Sequence, residues 1–88
     1  MLLHKSKEVV THYENGGCVI LNMENGNFYG VHDLSLQIWD MLDEVIDSNE
    51  IVDRIAMMYD GIPKEEISED INEFINEMLK EGIIKKYE

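Results

Sequence analysis

The sequence predicts an α+β fold in which three antiparallel strands precede three helices (βββααα), in one domain over residues 1–88. Two observations carry that expectation. In the first third of the chain, β-branched runs are divided by Asn-Gly pairs at Asn15-Gly16 and Asn25-Gly26, a strong short-range hairpin signal because both residues tolerate positive φ. After Val31 the spacing of apolar residues changes from about 2 to about 3.6, the periods of a strand and of a helix. A length of 88 residues leaves room for one domain.

Residues 1–7 carry no period and are expected to form a loosely ordered lead-in. Val9-Val10-Thr11-His12-Tyr13 and Cys18-Val19-Ile20-Leu21 flank the first turn, and Phe28-Tyr29-Gly30-Val31 follows the second as a short third strand. Leu34, Ile38, Met41, Leu42 and Val45 recur at helical spacing, with Trp39 beside them, which gives a first helix near 33–45. Asp47-Ser48-Asn49-Glu50 has the form of a capping box and opens a second helix. Its inward stripe is Ile51, Ile55 and Met58, with Val52 and Tyr59 flanking, and Asp60-Gly61 ends it. Pro63 fits the first position of a third helix, where its missing N–H costs nothing. That helix runs to about Lys80 and Gly82 stops it. Ile83-Ile84-Lys85-Lys86-Tyr87 is a β-prone tail that either adds a final strand or packs down. Three short strands cannot shield an apolar face alone, so the helices must cover one side of the sheet. The helical half resembles a winged helix-turn-helix.

Composition excludes several functions. Seven basic against 19 acidic residues give a formal charge of −12, the opposite of the clustered Lys and Arg that nucleic acid requires. One cysteine permits no internal disulfide and fits a reducing, cytoplasmic setting. No apolar run approaches the roughly 20 residues of a membrane span. His4, His12, His32 and Cys18 match no metal-ligand spacing, so no metal and no cofactor is expected. No nucleophile stands near a base and an orienting group, and Gly16-Gly17 lies in a hairpin turn rather than a phosphate loop. An enzyme is therefore not expected. Cys18 reads as a small strand residue, His12 as a surface residue, Trp39 as core, and most of the six methionines as helical core.

The third helix is the most informative element. At 100° per residue, Glu66, Asp70, Glu73 and Glu77 form one acidic stripe, beside an apolar face of Ile67, Ile71, Phe74, Ile75 and Met78. The stripe reads either as a solvated face or as a negative wall beside a groove that accepts basic side chains. In a three-stranded meander, an outer strand ends as an edge whose free N–H and C=O groups can template an incoming strand. The segment 28–31 suits that role, with an aromatic pair for pockets and a glycine that admits another backbone. Alternation sends Phe28 and Tyr29 to opposite faces, so both cannot be core.

Three stretches, Gly17-Cys18-Val19-Ile20-Leu21-Asn22, Asn25 to His32 and Gln37 to Asp43, resemble the PqqD-like family. Glu50 to Ile55, Tyr59 to Ile67 and Lys80 to Ile84 extend the resemblance over roughly residues 8–85. The family has no catalytic signature, and its specificity lies in the order and spacing of these pieces. Such proteins are recognition elements for the precursor peptides of ribosomally made, post-translationally modified products. The resemblance implies a winged-helix-like domain that binds a leader peptide as an added strand beside the third strand and against the third helix. The bound leader is then presented to a modifying enzyme, such as a radical SAM enzyme or a leader peptidase. On this sequence the implied site is Phe28, Tyr29 and Gly30 with Ile67, Asp70, Ile71 and Phe74. Two positions depart from the pattern: His32 stands where the family often has Asn, which leaves Asp33 as an alternative cap, and Ile62 stands where it often has Asp.

Two other functions compete. A winged helix can read DNA, but residues 63–81 hold seven acids against two lysines. A structural subunit, including a homodimer, can bury the same edge.

Overall fold

The computed structural model describes residues 1–88. The elements are β1 (Leu2–Lys5), β2 (Val9–Glu14), β3 (Gly17–Asn22), β4 (Phe28–His32), α1 (Asp33–Met41), β5 (Ile46–Asp47), α2 (Ser48–Met58), α3 (Lys64–Lys80) and β6 (Ile84–Lys86). The expected meander is β2-β3-β4, antiparallel throughout, followed by the three expected helices. Its first turn needs two left-handed residues, and Asn15 and Gly16 supply them at φ 50° and 78°. Inward-facing Cys18, Ile20 and Val31 are buried under the helices, whereas Val10, Val19 and Phe28 point to solvent.

The lead-in is a correction. Residues 2–5 are not loose but form the middle strand of a second sheet, β5-β1-β6, with Leu3 opposite both Ile46 and Lys86 and Lys5 opposite Ile84. Leu3 has no exposed surface. A four-residue strand with one core side chain is too short to show a period, so nothing in the local pattern announced it. The tail is the final strand, and it joins this second sheet rather than the meander. Lys5 ties the sheet to α1: its ammonium pairs with Asp43 and sits 4.4 Å from the Trp39 ring centroid.

The same sheet shortens the first helix. α1 ends at Met41 rather than near 45, Val45 is half exposed, and Ile46 turns inward to pair with Leu3. His32, not Asp33, is the N-cap residue of α1, and Asp33 takes the left-handed φ of 50°. Asp47 caps α2, its carboxylate accepting from Asn49 N–H at 2.8 Å, but the expected box does not close, because Glu50 accepts from Arg54 instead. In α2 the buried residues are Ile51, Val52 and Ile55, while Met58 is exposed. Pro63 sits one position earlier than expected, as the residue before Lys64, and its carbonyl accepts from Glu66 and Ile67 N–H. α3 buries Ile67, Ile71, Ile75 and Met78, with Phe74 partly covered. Met1, Met23, Met57 and Met58 lie on the surface and Met41 is half buried, so Met78 is the one fully buried methionine.

One buried polar side chain locks the meander to the helices. Asn22 donates from Nδ2 to the Glu81 carbonyl at 2.9 Å and accepts from Glu24 N–H at 3.0 Å. A Cβ on Gly82 would come within 3.2 Å of that Nδ2, so the stop of α3 and the second hairpin are fitted together. No helix is long and apolar enough to cross a membrane.

Candidate functional site

β4 pairs only with β3, which makes it an edge. The hydrogen-bond phase of β3 decides which of its groups are free. Met23 N–H donates towards β2, to Glu8, whereas Asn22 N–H donates to the Asn27 carbonyl at the other side. Alternation then directs Gly17, Val19 and Leu21 to β2 and Cys18, Ile20 and Asn22 to β4. Their partners Val31 and Tyr29 are thus engaged, and the main-chain groups of Phe28, Gly30 and His32 point outward. His32 is satisfied locally, since its N–H donates to Ser35 Oγ at 2.9 Å and the Ser35 hydroxyl donates to its carbonyl at 2.7 Å. Phe28 and Gly30 keep two free donors and two free acceptors.

The side chains divide as alternation requires. Phe28 is 71% exposed on the outer face. Tyr29 turns inward and bridges to α3, where its hydroxyl donates to Glu77 Oε1 at 2.8 Å and its ring lies 6.4 Å from that of Phe74. Burial, then the hydrogen bond to Glu77 and its charge, push the Tyr29 phenol well above its ordinary pKa. Nothing lies within 4 Å of a Cβ built on Gly30, so the fold itself does not require glycine there.

From Phe74 a groove runs towards the N-terminus of α3. Its first hollow, of about 220 Å³, is lined by Leu34, Ser35, Ile38, Asp70, Ile71 and Phe74. Its second, of about 150 Å³, is shared by α1, α2, α3 and the α2–α3 connection, with Ile55, Tyr59, Ile62 and Ile67 as its apolar wall and Glu66 and Asp70 at its rim. Leu34 and Asp70 line both. Ser35, which closes the end of β4, also lines the first hollow, so the edge strand and the groove meet at that residue.

Every residue expected at the site lies along this path: Phe28, Tyr29 and Gly30 on the edge strand, and Ile67, Asp70, Ile71 and Phe74 on the face of α3 beside it. The contribution of α1 and α2 went unseen in the sequence. Leu34 and Ile38 read there as core only, Tyr59 as the flank of the second helix and Ile62 as a residue unable to cap the third, because periodicity marks an apolar face without saying that two such faces stop short of meeting. Glu66 and Glu77 were legible as members of the acidic stripe. The largest depression on the surface, about 640 Å³ between Asn49, Val52, Asp53, Lys64, Glu65 and Ser68, has Val52 as its one apolar residue, and the Lys64–Asp53 ion pair at 2.6 Å lies within it. It offers no apolar socket.

The family model for coenzyme PQQ synthesis protein D (PqqD) matches residues 17–84. Among solved structures, the chain is similar to TbiB1 in complex with the TbiA(beta) leader peptide, with TM-score 0.85 and 24% identity over 97% of this chain and 98% of that one. It is also similar to lasso peptide synthetase B1 complexed with the leader peptide, with TM-score 0.79 and 13% identity over 94% and 96%. No curated protein matches the chain. The two structural likenesses concern the fold, and the family match covers most of the sequence: the chain belongs to the PqqD family.

Proposed function

We propose that this protein is a non-catalytic peptide-binding module. It recognises the leader of a ribosomally synthesised precursor by strand addition and presents it to a modifying enzyme, a radical SAM enzyme or a leader peptidase. The observation that carries the reading is the unpaired edge at Phe28 and Gly30 on a strand whose end meets, at Ser35, an apolar groove along α3. Membership of the PqqD family supports it, as do the leader peptides held by both similar structures. Four outward main-chain groups, at about 0.5–1.5 kcal/mol per hydrogen bond, supply a substantial part of the roughly 8 kcal/mol of micromolar binding. Apolar side chains entering the hollows supply the rest. Phe28, Tyr29 and Gly30 form the strand side of the site, and Ile67, Asp70, Ile71 and Phe74 the helix side.

Isotope-labelled protein titrated with synthetic peptides, tiled over the short reading frames beside its gene, tests the reading. Amide shifts are expected at residues 27–31 and along the groove face of α3. Shifts confined to β1, β6 or the outer surface of α2 would refute the edge-strand site. Co-purification with a neighbouring radical SAM enzyme or peptidase tests the presenting role.

A further inference from the structure

Asp70 stands where the two hollows meet, and it lines both. The chain has six ion pairs, formed by the N-terminus with Asp47, Lys5 with Asp43, His12 with Glu14, His32 with Asp33, Arg54 with Glu50 and Lys64 with Asp53. None of them engages an acid of α3. Asp70 therefore faces the groove with no cation of its own chain, with Glu66 on the rim of the second hollow.

The spacing of the hollows adds a second constraint. Ile71 lines the first and Ile67 the second, one helical turn apart, about 6 Å at 1.5 Å per residue. Side chains on one face of an extended peptide recur at about 6.6 Å. A strand continuing from the β4 edge can thus place alternate side chains into successive hollows.

We infer that the groove selects an extended segment with apolar side chains at alternate positions and a lysine or arginine beside them, and that Asp70 is the residue that reads the cation. This rests on the peptide-binding reading above and specifies its ligand. Charge complementarity carries the choice of occupant: an acidic segment meets Asp70 and Glu66 on a chain of net charge −12, whereas a basic one finds them unpaired. As the peptide covers the groove it displaces water around Asp70, and the attraction strengthens with the fall in local dielectric.

A library of synthetic peptides of about 12 residues, varied one position at a time and read by fluorescence polarisation, provides the test. Wild-type protein is expected to favour apolar residues at alternate positions and to prefer Lys or Arg over Glu beside them by about five-fold or more at about 50 mM salt, the preference shrinking at about 500 mM. Asp70→Asn, an exposed and isosteric change, should abolish the cation preference and keep the apolar one, with an unchanged circular dichroism spectrum. A cation preference that survives Asp70→Asn, or none in wild type, overturns the inference and leaves peptide binding standing. If no library peptide binds wild-type protein, the peptide-binding reading fails and takes the inference with it.

Discussion

Replacing Gly30 separates the strand edge from everything around it. A Cβ at this position meets nothing within 4 Å, and φ is not left-handed, so Gly30→Ala should fold as well as wild type or gain about 0.5–1 kcal/mol from a stiffer unfolded chain. Gly30→Pro acts on one donor. The Gly30 N–H points away from β3, so proline breaks no ladder bond, and Tyr29 before it is already extended as proline requires. Stability should therefore fall little. Peptide binding should not survive so well: one hydrogen bond is lost outright, and the ring holds the incoming strand off the Gly30 carbonyl. Two bonds at about 0.5–1.5 kcal/mol each amount to roughly 1–3 kcal/mol, or about a 5- to 150-fold weaker affinity. Calorimetric titration of the three proteins with one binding peptide, alongside thermal melts, makes the comparison. Should folded Gly30→Pro bind as wild type does, the peptide does not pair with β4.

Three further expectations follow from the fold. Leu3→Ala, which empties a fully buried position, should cost roughly 2–5 kcal/mol in urea denaturation, a large share of the total for a domain of this size; a loss below about 0.5 kcal/mol would show β1 to be dispensable. Alkaline unfolding should track the two hydrogen-bonded tyrosines: burial and the bond to Asp40 raise Tyr13 to about 12, and Tyr29 is raised further. Stability from a raised phenol is complete below its unfolded value near 10 and is lost as pH climbs through the folded one, so Tyr29→Phe, at a cost of about 1 kcal/mol or less, should flatten the profile above pH 10, as followed by absorbance and circular dichroism. The Asp47 carboxyl is lowered by the Asn49 N–H and then by the N-terminal ammonium. Its contribution is present above the unfolded aspartate value and fades as pH falls through the folded one, so Asp47→Ala should lower the melting temperature at neutral pH and lose that difference in acid.

The meander was legible because its signals are local. Asn15 and Gly16 dictate a two-residue turn, and the alternation of Cys18, Val19 and Ile20 then decides which face is core. α3 was legible for the same reason, with four buried side chains at helical spacing. The second sheet was not. β1, β5 and β6 are two to four residues long, and each is a strand only because the others are present. Leu3, Ile46 and Ile84 come from the start, middle and end of the chain, and no window contains two of them. The errors at Val45 and Met58 share this origin: a periodic stripe continues in sequence after the chain has turned to serve a distant partner.

That second sheet bears directly on the site. A β-prone tail of Ile83-Ile84-Lys85-Lys86 placed beside β4 would have used the free groups of Phe28 and Gly30 and closed the edge. Instead Leu2–Lys5 captures it, with Ile83 accepting from Ser6 N–H at 2.9 Å and Tyr87 N–H donating to Leu2 at 2.9 Å. The N-terminal strand thus completes the core through Leu3 and holds the tail in the second sheet. Weakening β1 should release a segment able to compete for the edge. A peptide-affinity defect in folded Leu3→Ala that comes with new amide shifts at Phe28 and Gly30 in the peptide-free protein would therefore signal self-occlusion rather than damage to the groove.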